Sequence, residues 1–140
     1  MGMPLLTFER KFGTDDRCLH YVFTARFGAV RCPKCGRANA YHRHKAKQCY
    51  TCSCGRSHIY PKKGTLFESS HVPLSLWFRA IFLIARQPAV TSKEVERRTG
   101  VTYPTAWRMT RKIRDRMRGR KNISFEALLM RCTKARRTEG

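Results

Sequence analysis

The sequence is short of acidic residues. Only nine of its 140 residues are aspartate or glutamate, against 30 lysines and arginines, so the formal net charge is +21 and the pI is about 10.7. A chain with this charge repels basic partners and attracts polyanions, because counterions released from phosphate drive the binding. Its dispersed carboxylates also lack the converging acidic oxygens that two-metal phosphoryl transfer needs. We therefore expect a binding protein and not an enzyme.

Long apolar runs are also absent. The longest, Ala80 to Ala85, is far shorter than the roughly 20 residues of a membrane-spanning helix. Residues Met1 to Lys11 contain no apolar stretch followed by a small-residue cleavage site, so no secretory signal is expected. We expect a cytoplasmic protein, associated with the nucleoid through DNA and without a membrane partner. Clustered cysteines in a reducing compartment bind metal more often than they form disulfides.

Some of the seven cysteines are spaced like the ligands of a zinc ion. Cys32 and Cys35 belong to the sequence Cys-Pro-Lys-Cys-Gly, which is typical of a zinc knuckle. Cys49, Cys52 and Cys54 compete for the two remaining places. Cys52 follows Cys35 at the usual separation and Cys54 precedes a glycine, whereas Cys49 and Cys52 have the commoner Cys-x-x-Cys spacing. We predict one structural zinc ion bound by Cys32, Cys35, Cys52 and Cys54, with Cys49 as the alternative ligand.

Apolar periodicity and turn residues divide the chain into four parts. Apolar residues recur at helical spacing after Asp15 or Asp16, either of which can cap a helix, and again along Pro73 to Gln87. Short runs at Gln48 to Thr51 and His58 to Tyr60 suit brief strands. We expect a small α+β protein with an N-terminal helical segment (1–28), a zinc ribbon of short antiparallel strands (29–70), a three-helix helix-turn-helix unit (71–119) and a basic tail (120–140).

The third part carries the signals of two helices joined by a tight turn. Thr91 and Glu94 have the spacing of a capping box, so a helix is expected to begin at Thr91 and end at Gly100. Thr102 can then cap a longer helix that ends near Gly119. In helix-turn-helix proteins the second helix lies in the major groove. This segment therefore predicts double-stranded DNA as the partner.

The second of these helices has an inward apolar stripe and a basic outer face. We expect Trp77 and Trp107 to lie in the core. The N-terminal part of the helix would reach base edges, and other basic side chains would bind phosphates. The candidate DNA contacts are Tyr103, Thr105, Arg108 and Lys112 for bases, and Arg111, with the flanking Arg114 and Arg116, for phosphates.

Five motifs follow one another in an order that resembles insertion-sequence transposases with an N-terminal zinc ribbon. They are Cys-Pro-Lys-Cys-Gly from Cys32, Tyr-Thr-Cys-Ser-Cys-Gly from Tyr50, Gly-Thr-Leu-Phe-Glu from Gly64, Pro-Leu-Ser-Leu-Trp-Phe from Pro73 and Gly-Val-Thr-Tyr-Pro-Thr-Ala-Trp-Arg-Met from Gly100. The likeness covers about residues 5 to 118. It implies a ribbon and helix-turn-helix that recognise terminal repeats ahead of an RNase-H-like catalytic domain.

The resemblance ends where that catalytic domain would begin. From Asn122 onward the only acidic residues are Glu126 and Glu139, so the chain is expected to be a transposase truncated before its catalytic domain. The second knuckle is also one residue shorter than the usual Cys-x-x-Cys. The alternatives are a free-standing DNA-binding regulator and a zinc-ribbon module that binds protein or RNA. A second copy of the chain or a separate catalytic chain is a further candidate partner.

Overall fold

A computed structural model describes residues 3–68 and 70–134 of the chain. Over these residues six helices and a three-stranded antiparallel sheet form a small α+β fold, in which β2 is the central strand. The elements are α1 (Leu5–Phe12), α2 (Asp15–Phe27), β1 (Tyr41–Arg43), β2 (Tyr50–Cys52), β3 (His58–Ile59), α3 (Leu74–Arg86), α4 (Ser92–Thr99), α5 (Tyr103–Met117) and α6 (Phe125–Thr133).

Helix α3 lies at the centre of the helical part. It packs against α2, α4, α5 and α6, and side chains on most of its circumference are buried, including Trp77, Phe78 and Ile81. This is the arrangement expected of a helix that is apolar on nearly every side. Among the described helices, none combines the length and apolarity needed to cross a bilayer.

The start of α2 differs from the prediction. Its N-cap is Thr14, whose hydroxyl oxygen accepts a hydrogen bond from the Arg17 amide at 3.2 Å. The two aspartates expected as caps make tertiary contacts instead. Asp15 accepts a hydrogen bond from the Ser75 amide of α3 at 2.9 Å, and Asp16 pairs with Arg43 of β1 at 3.2 Å. These contacts fix α2 against both the central helix and the sheet.

The prediction of a basic tail is wrong for residues 125–133, because these residues form α6. Leu128, Leu129 and Cys132 on this helix are buried in the same core as α3, and the Cys132 carbonyl accepts a hydrogen bond from the Leu66 amide at 3.1 Å. The helix has few turns, so its apolar periodicity is a weak signal beside the surrounding positive charge. Residues 135–140 of the predicted tail lie outside the described residues.

Helix α1 completes the core from the other end of the chain. Its Phe8 stacks on Phe82 of α3 with ring centroids 4.4 Å apart and meets the edge of Phe125 of α6 at 5.4 Å. The helices before and after the ribbon therefore share one apolar core. The sheet is attached to the side of this helical unit.

Truncation of a buried side chain of α6 tests whether this helix is packed in the core. We expect Leu128→Ala to lower the free energy of unfolding by about 2 to 5 kcal/mol, because Leu128 is fully buried and its truncation leaves a cavity. Met130 on the same helix is 39% exposed, so Met130→Ala is the matched control and should change stability little. Urea denaturation followed by circular dichroism measures both. Equal stability of the Leu128→Ala variant and the parent would contradict a packed α6.

Candidate metal centre and nucleic-acid interface

Four cysteine sulfurs converge in the ribbon. One Sγ atom from each of Cys32, Cys35, Cys52 and Cys54 lies within 4.8 Å of the others, a grouping that could hold one metal ion. The Sγ atoms of Cys32 and Cys54 are 3.8 Å apart, and those of Cys35 and Cys52 are 3.6 Å apart. A disulfide needs a sulfur separation of about 2.05 Å. The four thiols are therefore separate groups that lie close enough together to hold one ion.

The first pair lies on a turn closed by backbone hydrogen bonds. The Cys32 amide donates to the Arg37 carbonyl, and the Gly36 amide donates back to the Cys32 carbonyl, each at 2.9 Å. Gly36 has φ of +79°, a conformation that glycine adopts without strain. This turn points the amides of Lys34 and Cys35 at the Cys32 sulfur, at 3.3 and 3.4 Å.

The second pair lies on a turn of the same span although its cysteines are one residue closer. The Cys52 amide donates to the Ser57 carbonyl, which also lies five residues further along, and Gly55 has φ of +78°. The missing residue is accommodated inside the turn. The Gly55 amide donates to the Cys52 carbonyl three residues back, whereas the Gly36 amide of the first turn donates to a carbonyl four residues back. The shorter Cys-x-Cys spacing is therefore compatible with a knuckle.

The alternative ligand, Cys49, lies outside the group of four sulfurs. It is fully buried just before β2, and its carbonyl accepts a hydrogen bond from the His44 amide. The remaining cysteines, Cys18 and Cys132, are buried among the helices, and desolvation raises the pKa of each thiol to about 12. These two thiols stay protonated at neutral pH and are structural.

Charge at the cluster explains why a cation would suit it. Burial opposes ionisation of Cys32, but hydrogen bonds from the Cys35 and Lys34 amides and from neighbouring thiols outweigh it and lower the pKa to about 6. The Cys54 amide lowers the pKa of Cys52, but burial and the thiols of Cys35, Cys32 and Cys54 outweigh that and raise it to about 12. Four thiolates thus disfavour one another unless a positive ion lies between them.

The ribbon is joined to α2 by an aromatic stack. Phe23 of α2 and Tyr50 of β2 lie nearly parallel, with ring centroids 4.1 Å apart. Arg26 donates to the carbonyls of Pro61, at 2.8 Å, and Lys63, at 2.5 Å. Of the ribbon tyrosines, Tyr50 is therefore a core residue and Tyr60 is exposed. The position of the ribbon depends on this contact with α2.

Helices α4 and α5 form the predicted pair joined by a tight turn. Thr91 caps α4 by accepting a hydrogen bond from the Glu94 amide at 3.1 Å, and Gly100 ends it with φ of +82°. Thr102 occupies the N-cap position of α5, but its hydroxyl contacts the Thr105 hydroxyl at 3.0 Å and makes no backbone cap. The inner face of α5 is buried against α3, α4 and α6.

The candidate DNA contacts lie along the N-terminal three turns of α5. Tyr103, Arg108, Arg111 and Lys112 are exposed, whereas Thr105 is half-buried. The Lys93 ammonium group lies 5.8 Å from the Tyr103 ring centroid, which adds a cation from α4 to the same surface. The structure therefore gathers four of the five predicted side chains on an accessible face.

Basic residues of α4 and α5 differ in whether a carboxylate neutralises them. On α4, Arg97 and Arg98 both pair with Glu94, at 2.5 and 2.9 Å, and these pairs lower the pKa of Glu94. Among the ion pairs of the described residues, none involves Arg108 or Lys112 of α5. The outer face of α5 therefore carries basic side chains without an ion-pair partner, and Asp115 is the one acidic residue of this helix.

Two flanking arginines of α5 contact the protein itself. The Arg114 guanidinium donates to the carbonyls of Pro88, at 3.0 Å, and Val90. Arg116 donates to the Arg131 carbonyl of α6 at 2.8 Å. Both side chains therefore hold neighbouring segments in place and are poorly placed as the phosphate contacts that their position in the sequence suggested.

The prediction that Trp107 lies in the core is wrong. Trp77 is 2% exposed and its indole donates to the Ser70 hydroxyl, but Trp107 is 46% exposed. Its ring lies one helical turn beyond Tyr103, and the Arg111 guanidinium carbon is 5.2 Å from its centroid. The helical spacing contained a signal of this exposure, because Trp107 lies about 100° around the helix from Ala106 and one turn from the polar Tyr103 and Arg111.

Comparison of the chain with known protein families, curated proteins and solved structures gives no match.

Proposed function

We propose that this chain is a DNA-binding module in which α5 enters the major groove and the ribbon is held together by one zinc ion. The observation that carries the proposal is the outer face of α5, whose exposed Arg108 and Lys112 have no carboxylate partner in the described part of the chain. A positively charged helix placed after a tight turn matches the charge and width of the groove.

The geometry and chemistry of the four sulfurs support zinc as the metal. Zinc binds thiolate sulfur at about 2.3 Å, so four ligands at tetrahedral positions lie about 3.8 Å apart. The two sulfur pairs, at 3.8 and 3.6 Å, are close to that value. Four thiolates leave no position for water or substrate, so the ion would be structural. Its role would be to stabilise a ribbon whose strands are only two or three residues long.

We further propose that the DNA is the terminal repeat of an insertion sequence and that the chain serves as the recognition portion of a transposase. Support comes from the order of the five motifs and from the placement of two of them at the knuckles and a third at the turn into α5. In this role the chain selects and holds the DNA end, and the strand-transfer chemistry belongs to acidic residues of a catalytic domain outside this chain.

Binding to duplexes at several salt concentrations tests the proposed function. We expect log Kd to rise linearly with log salt concentration, because binding releases counterions from phosphate. A duplex carrying the terminal repeat should bind about a thousandfold or more tightly than a random duplex at physiological salt. Fluorescence anisotropy with labelled duplexes measures both. Equal affinity for all duplexes would overturn recognition of DNA ends, and tighter binding to single-stranded RNA would favour an RNA-binding ribbon.

A further inference from the structure

Beside the exposed face of α5 there is an open pocket of about 300 Å³. Residues of α4 and α5 line it together: Ser92, Trp107, Thr110, Arg111, Arg114 and Asp115. Two of these side chains already make hydrogen bonds within the protein. Thr110 donates to the Ala106 carbonyl, and Arg114 donates to carbonyls of the segment before α4. The groups left to meet a ligand are the Ser92 hydroxyl, the Trp107 indole, the Arg111 guanidinium and the Asp115 carboxylate.

Trp107 belongs to a small group of exposed aromatic side chains in the described part of the chain, together with Tyr60 and Tyr103, its neighbour one helical turn away. Seven of the eight phenylalanines, at positions 8, 12, 23, 67, 78, 82 and 125, are buried, and so is Trp77. An indole that stays 46% exposed leaves apolar surface in water, and a partner that covers this surface gains free energy from its burial. The Arg111 guanidinium next to the ring adds a cation. The partner should therefore offer an apolar surface joined to an anion.

We propose that this pocket binds one nucleotide of the DNA backbone, with the deoxyribose against Trp107 and its phosphate between Arg111 and Ser92. This inference rests on the proposed function, and it adds an anchor on the flank of the recognition helix. The volume is at the small end of ligand pockets, about 300 to 1,000 Å³, and fits a sugar and a phosphate. Asp115 also lines the pocket, so a phosphate bound there lies near one carboxylate as well as near the Arg111 guanidinium.

The position of the pocket favours the backbone over the bases. Base edges are reached by side chains on the outermost ridge of a recognition helix, whereas the helix before it crosses the sugar-phosphate backbone. Trp107 and Arg111 lie on the side of α5 that faces Ser92 at the beginning of α4. A strand that occupies this pocket therefore lies beside the groove that receives Arg108. Contacts of this kind position the protein and carry no sequence preference.

Intrinsic fluorescence isolates Trp107, because the chain has only two tryptophans. In a Trp77→Phe variant the remaining indole is that of Trp107, and acrylamide, a neutral quencher, should reach it readily in the free protein. Saturating duplex DNA should reduce the quenching constant severalfold. An unchanged quenching constant in the DNA complex overturns the proposal, as does protection by single-stranded but not by duplex DNA.

Substitutions distinguish backbone contact from base reading. Trp107→Ala should weaken binding by about tenfold on terminal-repeat and random duplexes alike, and Arg111→Gln should reduce the slope of log affinity against log salt by about one. Tyr60→Ala, at a ribbon residue 47% exposed, is the matched control and should bind like the parent. Loss confined to one duplex sequence overturns the backbone assignment. A parent chain that binds no duplex overturns the proposed function as well, whereas normal binding by Trp107→Ala overturns only this inference.

Discussion

Cys54→Ser should abolish zinc binding and unfold the ribbon, while Cys49→Ser should keep one zinc ion per chain. Cys54 is one of the four converging sulfurs, and Cys49 is outside them. Zinc binding contributes about 10 to 16 kcal/mol in zinc-finger peptides, which is as large as the whole stability of a typical domain. The three strands of the ribbon are too short to supply this stabilisation by themselves once the metal is lost. Metal analysis of the purified variants gives the stoichiometry.

Both cysteines are needed in the experiment because serine at a buried position has its own cost. A hydroxyl at residue 49 without a partner costs about 1 to 3 kcal/mol, so Cys49→Ser measures the effect of serine in the ribbon without loss of a ligand. Hydrogen exchange then locates the damage. Amides of β1, β2 and β3 should exchange rapidly in Cys54→Ser, and those of α3 should stay protected. Zinc retained by Cys54→Ser but lost from Cys49→Ser would show that the ligand set is wrong.

Unfolding of the ribbon should remove several contacts with the helices, among them the Asp16–Arg43 pair and the hydrogen bonds from Arg26 to the Pro61 and Lys63 carbonyls. The Phe23 and Tyr50 rings are stacked across the boundary between α2 and β2, so an unfolded ribbon exposes one face of α2. Most side chains of the core around α3 come from the helices, and Tyr50 is the one fully buried strand residue among its apolar members in the described part of the chain. The helical unit should therefore remain folded without metal, although less stable.

The parts of the fold that sequence predicted are those marked by strong local signals. Prolines at positions 73 and 88 bracket α3, and Thr91 and Gly100 mark the two ends of α4. Each of these residues begins or ends a helix through its own local backbone, so its effect can be predicted without knowledge of the tertiary structure. The same holds for the pair Cys32 and Cys35 in the first knuckle.

The sequence-based predictions are wrong where contacts with residues far away in the chain determine the local structure. Asp15 and Asp16 are good N-cap residues, but Ser75 and Arg43 bind their carboxylates and Thr14 provides the cap. Helices α1 and α6 are too short for a clear periodic signal, and each is stabilised chiefly by aromatic and aliphatic side chains from other parts of the chain.

Side-chain direction was the other source of error. The spacing of α5 indicated an inward stripe, and Trp107 lies about 100° around the helix from Ala106, outside that stripe and on the flank next to α4. The apolar character of the indole was therefore a poorer guide than its position. The second knuckle posed a similar problem. Only the closing hydrogen bond from the Cys52 amide to the Ser57 carbonyl shows how a Cys-x-Cys pair reaches the other two sulfurs.

Arg108→Gln should reduce affinity for the terminal-repeat duplex by about 5- to 150-fold, equivalent to about 1 to 3 kcal/mol, and should relax base preference at one position. Arg108 is exposed on the outer face of α5 and is free of carboxylate partners among the described residues, so its guanidinium can bind a guanine edge with both nitrogens. Random DNA should lose far less affinity. Anisotropy titrations with single-base variants of the repeat measure the change.

Two other arginines serve as controls with the same loss of charge. Arg98→Gln removes a cation that Glu94 already neutralises, so it should weaken binding to every duplex slightly and equally. Arg114→Gln removes hydrogen bonds to the Pro88 and Val90 carbonyls and should lower thermal stability, with loss of affinity that follows from a displaced α4. If Arg108→Gln behaves like Arg98→Gln, charge alone accounts for DNA binding and α5 does not read bases. If it discriminates between sequences while stability is unchanged, α5 is the recognition helix.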